Sequence, residues 1–492
     1  MRIAARQYSS EEQLAEIEGR LAHAPDSLEL RFERACCLED LGWNDAAWEA
    51  YAAILQRDPG HLGSLVNLGA MAHGSGELAV ARTFFERALG RHADAPIPQV
   101  NLARVLLDQG DVQGAQGHFT QVLERDPDFF AAHHGLALVY EVTGDAVAAQ
   151  EHLERAFEKR ASWTQPYRGS GTPLRVLLLV SARGGDMVTH PFLDDRSVET
   201  TTFVVEGFRD GLALPPHDVI FNAIGDADRC PQALARARAV CAASSAAVVN
   251  DPDRVLAGGR AANALRLHGV TGVVAPRTER VARTALTAAR LAAGGWTFPL
   301  LVRTPGHHAG AYFERVAEAH DLAPTLARVP GETLFLINFL DLRGADGCVR
   351  KYRVLFVDGR IYPAHLAIAH DWKVHYFSAD MAERADYRAE EARFLNDIEG
   401  TLGAEVLAAL ARVGEVLDLD YAGIDFSLDA DANVVVFEAN ATMAVYVPPS
   451  QECWAYRKPA YSAIVGAVKA LLADRAAKSP VHARARVRPI RG

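Results

Sequence analysis

The 492-residue sequence predicts a multidomain protein in which an all-α solenoid is followed by an α/β domain and an α+β domain. Three observations lead to this fold class. Small and bulky apolar residues recur every 34 positions in the first third of the chain. Apolar runs typical of buried strands then alternate with helical stretches. Two strand–turn–strand segments, each with ionisable residues set among apolar ones, complete the second half.

The repeated positions of the first third are those at which two helices of a hairpin approach each other and turn. The small residues allow close approach, the glycine makes the turn, and the bulky apolar residue packs into the next unit. This pattern resembles the tetratricopeptide (TPR) repeat over residues 9–161, which implies a solenoid whose groove binds a peptide or protein partner; a spacer that binds nothing is the alternative. The four sets are Ala35, Gly69, Ala103 and Ala137; Gly42, Gly76, Gly110 and Gly144; Ala47, Ala81, Ala115 and Ala149; and Tyr51, Phe85, Phe119 and Leu153.

Charge and composition argue against several classes of function. Residues 1–160 contain 25 acidic and 14 basic residues, so their net charge of −11 equals that of the whole chain. An acidic surface repels nucleic acid, so no nucleic-acid partner is predicted, and the groove should favour a basic or neutral one. No apolar run reaches the roughly 18 residues that span a bilayer, so no membrane role is predicted. The absence of an apolar leader at the start and the scattered cysteines predict a cytoplasmic location.

Composition shifts predict four further segments after the solenoid. Residues 162–173 are rich in Gly, Pro and Ser and are predicted to be a linker. Parallel strands alternating with helices predict an α/β domain over 174–255. The family resemblance given below implies a catalytic domain over residues 256–475. The basic, weakly apolar segment 476–492 is predicted to be disordered.

The last hairpin, GIDF…VVVFEAN, is predicted to bring two carboxylates together. With its turn centred on Asp431 and Ala432, Asp425 lies opposite Glu438, and Asn440 lies one diagonal step away. Two carboxylates at that separation repel each other unless a proton or a cation lies between them. Side chains that offer only oxygen ligands suit Mg²⁺. A polar hairpin end with no ligand is the alternative.

Four segments in this order resemble the ATP-grasp superfamily over residues 174–475, most closely bacterial glutathione synthetase and related carboxylate–amine ligases. They are a strand–turn–helix with Arg260, a strand with Arg303 and a glycine loop, the hairpin that contains KYRVLFVDG, and the GIDF…FEAN hairpin. The resemblance implies an α/β pre-ATP-grasp domain, an α+β ATP-grasp domain, and ATP held with Mg²⁺ between two lobes. ATMAVY (441–446) departs from glutathione synthetases, so a different acceptor is expected.

The resemblance also assigns nucleotide-binding positions. The family's two lysines that contact adenine and phosphate fall on arginines, and a planar guanidinium is not equivalent to a compact ammonium. The flexible glycine loop falls on TPGHHAG, for which an ordinary surface loop is the alternative, and the adenine hinge falls on INFL. The ATP-binding residues implied in this way are Arg260, Arg303, Gly306, Gly310, Ile337, Asn338, Phe339, Leu340 and Asp341, the last reaching the ribose.

Catalytic and substrate positions lie on the KYRVLFVDG strand and in the insertion that follows it. Arg353 matches the arginine that grips the acyl phosphate or substrate carboxylate, and Lys351 shares its strand face. Residues 370–397 are the least family-like part and are interpreted as a substrate-facing insertion; a capping helix with a solvated face is the alternative. Within it, Lys373 and Tyr376 are predicted to contact substrate and His375 to act as general base for the amine.

These expectations define an ATP- and Mg²⁺-dependent carboxylate–amine ligase that works through an acyl phosphate. Its carboxylate and amine substrates are small molecules or peptides, and the solenoid is expected to recruit a peptide, protein or carrier-borne one. One alternative is a kinase of ATP-grasp fold. The other is a non-catalytic TPR adaptor with a degenerate nucleotide-binding domain, favoured by Arg260 and Arg303 and opposed by Asp425, Glu438 and Asn440. The sequence is compatible with a homodimer and names neither substrate.

Overall fold

The computed structural model of the protein describes residues 11–158, 161–306, 312–375, 379–448 and 451–478. These residues form two compact units that divide between residues 160 and 161. The first unit is helical, and the second contains three β-sheets with their helices. A helical solenoid followed by an α/β region with mixed sheets is therefore confirmed, whereas the assignment to ATP-grasp domains stays a prediction.

Helices of the described first unit form one leading helix and four hairpins with the predicted 34-residue spacing. Apolar residues of successive hairpins pack into a continuous core along the unit. The helices are α1 (Glu11–His23), α2 (Leu28–Asp40), α3 (Asn44–Arg57), α4 (Leu62–Gly74), α5 (Leu78–Arg91), α6 (Pro96–Asp108), α7 (Val112–Arg125), α8 (Phe130–Thr143) and α9 (Ala146–Phe157).

The repeated small and aromatic residues have the roles that the period predicts. The four turn glycines adopt φ values of +78°, +80°, +86° and +83°, a conformation that other residues adopt at a cost. Phe119 is fully buried and lies against the next hairpin at Gly135, where an added Cβ would come within 2.2 Å of its ring. Phe85 lies in the same way against Gly69 of its own hairpin. Ring packing thus requires a glycine at Gly69, which is one of the repeated small positions, and at Gly135, which is not.

The second unit begins with a five-stranded sheet in the order β1-β3-β2-β4-β5. Strand β1 is antiparallel to β3, and the other four strands are parallel. Buried apolar residues of the last helix, α18, share a core with β2 and β4. The elements are β1 (Ser162–Thr164), β2 (Leu174–Val180), β3 (Val198–Val204), β4 (Val219–Asn222), α10 (Pro231–Ala242), β5 (Ala247–Val249) and α18 (Lys458–Lys478).

Strand β1 corrects the prediction that residues 162–173 are only a linker. The segment opens with three residues that pair with β3, and the Thr164 and Thr201 hydroxyls are 2.9 Å apart. Its polar side chains carry no apolar periodicity, which is why the sequence did not indicate a strand. An edge strand needs backbone pairing on one side only, so such a sequence can form one.

Two further sheets follow. One is antiparallel with the order β7-β10-β8-β9, and the other has the order β12-β11-β13-β14-β6, with only β14 and β6 parallel. The strands are β6 (Val273–Val274), β7 (Thr278–Ala282), β8 (Leu300–Arg303), β9 (Phe313–Val316), β10 (Thr333–Asn338), β11 (Val349–Val357), β12 (Arg360–Ala369), β13 (Tyr421–Leu428) and β14 (Val434–Asn440). The helices are α11 (Pro252–Leu256), α12 (Arg260–Leu267), α13 (Ala288–Ala293), α14 (Leu322–Arg328), α15 (Ala385–Asn396), α16 (Ile398–Leu402) and α17 (Ala404–Leu417).

The finer domain limits stay predictions. The boundary placed between residues 255 and 256 falls inside α11. Helix α18 continues through Lys478, past the predicted start of the tail, because Ala476 is still buried. Residues 479–492 lie outside the described chain. Among the described helices, none is long and apolar enough to cross a bilayer.

Replacing Phe119 by Ala should destabilise the solenoid, because the ring fills the space between two hairpins. Loss of a fully buried Phe is expected to lower the free energy of unfolding by roughly 3–5 kcal/mol. Urea unfolding of the full chain followed by circular dichroism measures this change, and hydrogen exchange in α7 and α8 assigns it to the solenoid. Val147→Ala is the control, since Val147 is 71% exposed. Equal stabilities of the two variants would contradict the assigned packing.

Candidate functional site

A cavity of about 710 Å³ in the second unit brings together most of the predicted site residues. Its walls come from loops that follow β2 and β4, from α12, and from the two later sheets. Gly310 and Tyr376 lie outside the described residues, so their predicted roles are untested. The predicted residues that line the cavity are Arg260, Arg303, Gly306, Ile337, Asn338, Phe339, Leu340, Lys351, Arg353, Lys373, His375, Asp425, Glu438 and Asn440.

Asp341, predicted to reach the ribose, is placed elsewhere. It is not among the residues that line the cavity, and it forms an exposed ion pair with Arg343. The hydrogen bond from Arg343 lowers the pKa of Asp341 to about 2. Residues 337–340 and Leu342 line the cavity, whereas the exposed Asp341 between them does not.

The closing hairpin pairs Asp425 with Glu438, as the alternation of strand side chains predicts. The strand register between this pair and the turn differs from the predicted one. Phe426 pairs with Val436, one residue short of the predicted register, and Phe437 is an extra residue that restores it. A β-bulge of this kind leaves one residue unpaired in the ladder and re-aims its neighbours. The bulge therefore sets the opposition of the two carboxylates.

Glu438 is bound by two arginines from different elements. Arg260 Nη2 lies 2.7 Å from one carboxylate oxygen and Arg303 Nη1 lies 3.9 Å from the other. Arg260 also donates to the bulged Phe437 carbonyl at 3.1 Å, and its backbone N–H donates to Asp228 at 2.7 Å. Burial and then the charge of Arg260 lower the pKa of Arg303 to about 10. Arg303 therefore stays charged at neutral pH.

Asp425 is held by two cations of β11. Arg353 donates through Nε and Nη2 to the two carboxylate oxygens, at 2.6 and 3.0 Å, and Lys351 Nζ lies 2.9 Å from one of them. The carboxylate is buried, with 3% of the residue exposed. Burial raises the pKa of Asp425, but the charges of Arg353 and Lys351 outweigh it and hold that pKa far below its usual range.

The centre thus contains four cations paired with two carboxylates. Within these ion pairs the cations outnumber the carboxylates, and Asp226 and Asp228 of the same cavity act on Arg303 and Arg260 as further negative charges. The four cations offer binding partners to an anionic group such as a polyphosphate.

Asp425, Glu438 and Asn440 offer only oxygen side-chain ligands, which fits Mg²⁺ in chemical type. No group of three His, Cys, Asp or Glu side chains suited to a metal occurs in the described chain. The fit therefore depends on the Asn440 amide oxygen as the third ligand. That oxygen accepts the Thr442 N–H and hydroxyl, each at 2.9 Å, so it could hold Mg²⁺ only in exchange for those hydrogen bonds.

An apolar wall lies beside this charged centre. Leu301, Phe335 and Ile337 are buried on the antiparallel sheet, and Phe313 packs against them. The Trp372 ring lies 5.4 Å from that of Phe313, in an edge-on arrangement. Flat apolar surfaces of this kind bind planar aromatic groups. A polyphosphate joined to an aromatic base would match both parts of the cavity.

The insertion 370–397 combines the two interpretations made from the sequence. Its first part lines the cavity, and Lys373 Nζ donates to the Phe313 carbonyl at 2.9 Å. His375 is half-buried, and burial followed by the charges of Lys351 and Arg353 lowers its pKa. His375 is therefore neutral at pH 7, as a general base must be. The second part is helix α15, which packs against β12 in the same core.

Sequence reasoning missed the cavity residues that come from the first sheet of this unit. They lie on loops that follow the parallel strands β2 and β4. Ligands of open parallel sheets bind at the carboxyl ends of strands, so the strand prediction held a usable signal. Trp372 and Thr442 were also missed, because their positions depend on chain folding over long distances. The missed first-sheet residues are Gly185, Asp186, Gly225, Asp226, Ala227, Asp228 and Arg229.

Comparison with known proteins supports the repeat domain. The tetratricopeptide repeat family model matches residues 19–96 and 100–166. The structure of MamA from Desulfovibrio magneticus RS-1 is 18% identical, with a TM-score of 0.27, and the match covers 30% of this chain and 84% of that one. A thermophilic TPR protein from Thermus thermophilus is 21% identical, with a TM-score of 0.27, covering 30% and 81%. No curated protein matches the chain. The family-model match identifies the repeats of the N-terminal region as tetratricopeptide repeats, a protein-interaction module.

Replacing Asp425 by Asn should destabilise the second unit strongly, because Arg353 and Lys351 would lose the carboxylate that both of them bind. Removing one partner of a buried ion pair costs roughly 3–5 kcal/mol. Thermal unfolding of the full chain at neutral pH measures the change. Since the pKa of Asp425 is depressed, its contribution is present above the unfolded pKa of about 3.9 and declines as pH falls below it.

The matched control is Asp341→Asn, which removes an exposed ion pair and should cost no more than about 1 kcal/mol. If the two variants unfold at the same temperature, Asp425 does not neutralise the centre.

Proposed function

We propose that the second unit is an ATP- and Mg²⁺-dependent ligase of ATP-grasp type that joins a carboxylate to an amine through an acyl phosphate. The observation that carries this proposal is the four-cation centre beside an apolar wall in one cavity. A nucleoside triphosphate has the complementary chemistry, since its base is flat and apolar and its other end is polyanionic. The order of segments that resemble ATP-grasp ligases also supports the proposal.

The nucleotide would lie with its base against Leu301, Ile337 and Phe335 and its phosphates toward Arg260 and Arg303. Asp425, Glu438 and Asn440 would hold Mg²⁺, which neutralises charge on the phosphates. The residues of the chain orient the two reactants. Their main electrostatic contribution is fixed positive charge in a site that excludes water.

Arg353 and Lys351 are the proposed ligands for the substrate carboxylate. Both line the cavity, and both are only 12% exposed at the side chain, so their charges act with little screening by solvent. The carboxylate oxygen would take the terminal phosphoryl group of ATP as the bond from that phosphorus to the ADP oxygen breaks and ADP leaves. The amine nitrogen would then attack the acyl carbon. The C–N bond forms as the C–O bond to phosphate breaks. His375, neutral and on the cavity wall, is the proposed acceptor of the amine proton.

The repeat domain is proposed to recruit a peptide, protein or carrier-borne substrate. Residues 1–160 carry a net charge of −11, which favours a basic or neutral partner. Binding one reactant through a separate module raises its effective concentration at the site without new contacts there. The identities of the two substrates follow from neither unit.

A second candidate is an adaptor whose second unit binds a nucleotide without turnover. Two arginines, Arg260 and Arg303, stand at the positions of the family's two lysines. The observation in favour of the adaptor is that both arginines form ion pairs with Glu438. Product analysis separates the two functions, since a ligase releases free phosphate when both substrates are present.

Replacing Glu438 by Gln should weaken binding of Mg-ATP by roughly 10- to 100-fold, the loss typical of disturbed metal sites. In excess EDTA, the same variant should bind ATP at least as tightly as the wild type, because one negative charge beside the phosphates is gone. Calorimetry on the full chain measures both affinities. Glu405→Gln, an exposed change on α17, is the control. Equal Mg-ATP binding by wild type and Glu438→Gln, or binding by neither, would falsify the proposed nucleotide site.

A further inference from the structure

Three aromatic rings form a corner at one side of the apolar wall. They belong to Phe313, which begins β9, to Phe339, the residue after β10, and to Trp372, which follows β12. The centre of the Trp372 ring lies 5.4 Å from that of Phe313 and 5.9 Å from that of Phe339, with interplanar angles of 69° and 82°. Edge-to-face packing of this kind is a favoured arrangement of aromatic rings. All three residues line the cavity, so the corner is part of its surface.

Trp372 reaches this corner from a different sheet. Strand β12 ends at Ala369 in the sheet that also contains β13 and β14, whereas β9 and β10 belong to the antiparallel sheet. Residues 370–375, which we call the bridging turn, connect the two sheets through their side-chain contacts. Four of these residues, 372–375, line the cavity. The bridging turn therefore adds to the apolar wall a ring that the antiparallel sheet does not itself supply.

The sequence of the bridging turn explains where Trp372 lies. The Asp371 carboxylate accepts the backbone N–H of Lys373 at 3.1 Å, and an Asp side chain that bonds the backbone two residues on makes a tight turn. On one side, Val374 is buried in an apolar cluster of β11 and β12. On the other side, Lys373 Nζ donates to the Phe313 carbonyl at 2.9 Å. The bridging turn is thus attached to both sheets, and these attachments position Trp372.

The three rings of the corner differ in what covers them. The guanidinium carbon of Arg303 lies 5.4 Å from the centre of the Phe313 ring, and that of Arg315 lies 4.5 Å from the centre of the Phe339 ring. Each phenylalanine therefore has a cation over one face. In the part of the chain that the structure describes, no cation lies over the half-buried Trp372 ring. Trp372 also has the largest ring of the three, so it is the one best suited to stack on a planar ligand.

We propose that Trp372 contacts the base of the nucleotide and determines specificity for it, and that Lys373 is a positioning residue that holds Trp372 in place. The inference rests on the proposed function, because it adds residues to the nucleotide-binding part of the same ligase site. Both residues lie in the insertion 370–397, the part of the chain least like the ATP-grasp family. Lys373 thereby receives a role other than the predicted contact with substrate, since its ammonium group binds a backbone carbonyl.

The two roles can be separated from phosphate binding by the choice of ligand. Inorganic tripolyphosphate carries the phosphates of ATP but no base, so its binding should not depend on Trp372. A Lys373 side chain that bound phosphate would contribute to the binding of both ligands. A Lys373 side chain that only positions Trp372 would contribute to the binding of ATP alone. The ratio of the two affinities therefore reports on the base contact and not on the general integrity of the site.

The test measures binding of Mg-ATP and of Mg-tripolyphosphate to the full chain by calorimetry. Trp372→Leu keeps an apolar side chain but loses the ring, so it should weaken Mg-ATP binding roughly tenfold or more and tripolyphosphate binding less than about twofold. Lys373→Met should show the same selective loss. Trp372→Phe restores a ring and should regain most of the affinity for Mg-ATP. Trp163→Leu is the control and should bind like wild type, since Trp163 is 54% exposed and does not line the cavity.

Wild-type affinity of Trp372→Leu for Mg-ATP would overturn the role of Trp372. An equal loss for both ligands, or Mg-ATP binding by Trp372→Phe that is as weak as that by Trp372→Leu, would overturn it too, because either result would show a structural effect. Equal weakening of both ligands by Lys373→Met would overturn the positioning role of Lys373. If wild type binds no Mg-ATP, the proposed function itself fails. If wild type binds Mg-ATP and Trp372→Leu binds it equally well, only this inference fails.

Discussion

The ion pairs of Asp425 and Glu438 are the interaction on which the second unit depends. Asp425 on β13 and Glu438 on β14 lie in largely buried strands. Carboxylates in such positions are costly unless cations pair with them. Here the cations come from separate parts of the chain: Arg260 begins α12, Arg303 ends β8, and β11 supplies the two that hold Asp425. The cavity walls are therefore held around the hairpin by charge as well as by apolar packing. The same pairs leave positive charge in excess, which links stability to ligand binding.

A second buried ion pair in the same unit shows what a purely structural arrangement looks like. Glu391 is fully buried and accepts from Arg457 at 2.6 Å, with Tyr456 as a further donor. One carboxylate meets one guanidinium there, and neither residue lines the large cavity. Such a pair connects α15 to the segment before α18 and needs no ligand to balance it. The centre at Asp425 and Glu438 differs because its cations outnumber its carboxylates beside open space, which is the property expected of a binding site.

The sequence allowed much of the fold and part of the site to be predicted. A 34-residue period can be read directly from residue spacing, and a turn centred on Asp431 and Ala432 was sufficient to place Asp425 opposite Glu438. The bulge at Phe437 could not be predicted, because no residue type marks it, and the correct pairing was reached with the wrong register near the turn. The cavity residues of the first sheet were missed for another reason. Their positions depend on strand order in a sheet, which local sequence does not encode, and on a cavity formed by segments more than two hundred residues apart.

The division of charge between the two units bears on which substrate each part would handle. The net charge of residues 1–160 equals that of the whole protein, so the remainder sums to zero, and four of its cations pair with Asp425 and Glu438. An acidic solenoid attracts basic segments and repels acidic ones over distances of about a Debye length. A partner recruited by the repeats is thus better suited to supply the amine than the carboxylate. The carboxylate would then arrive as a free small molecule, drawn into the cavity by Arg353 and Lys351. In the proposed ligase, the repeats would therefore recruit the amine substrate, whereas the cavity would bind and activate the carboxylate substrate.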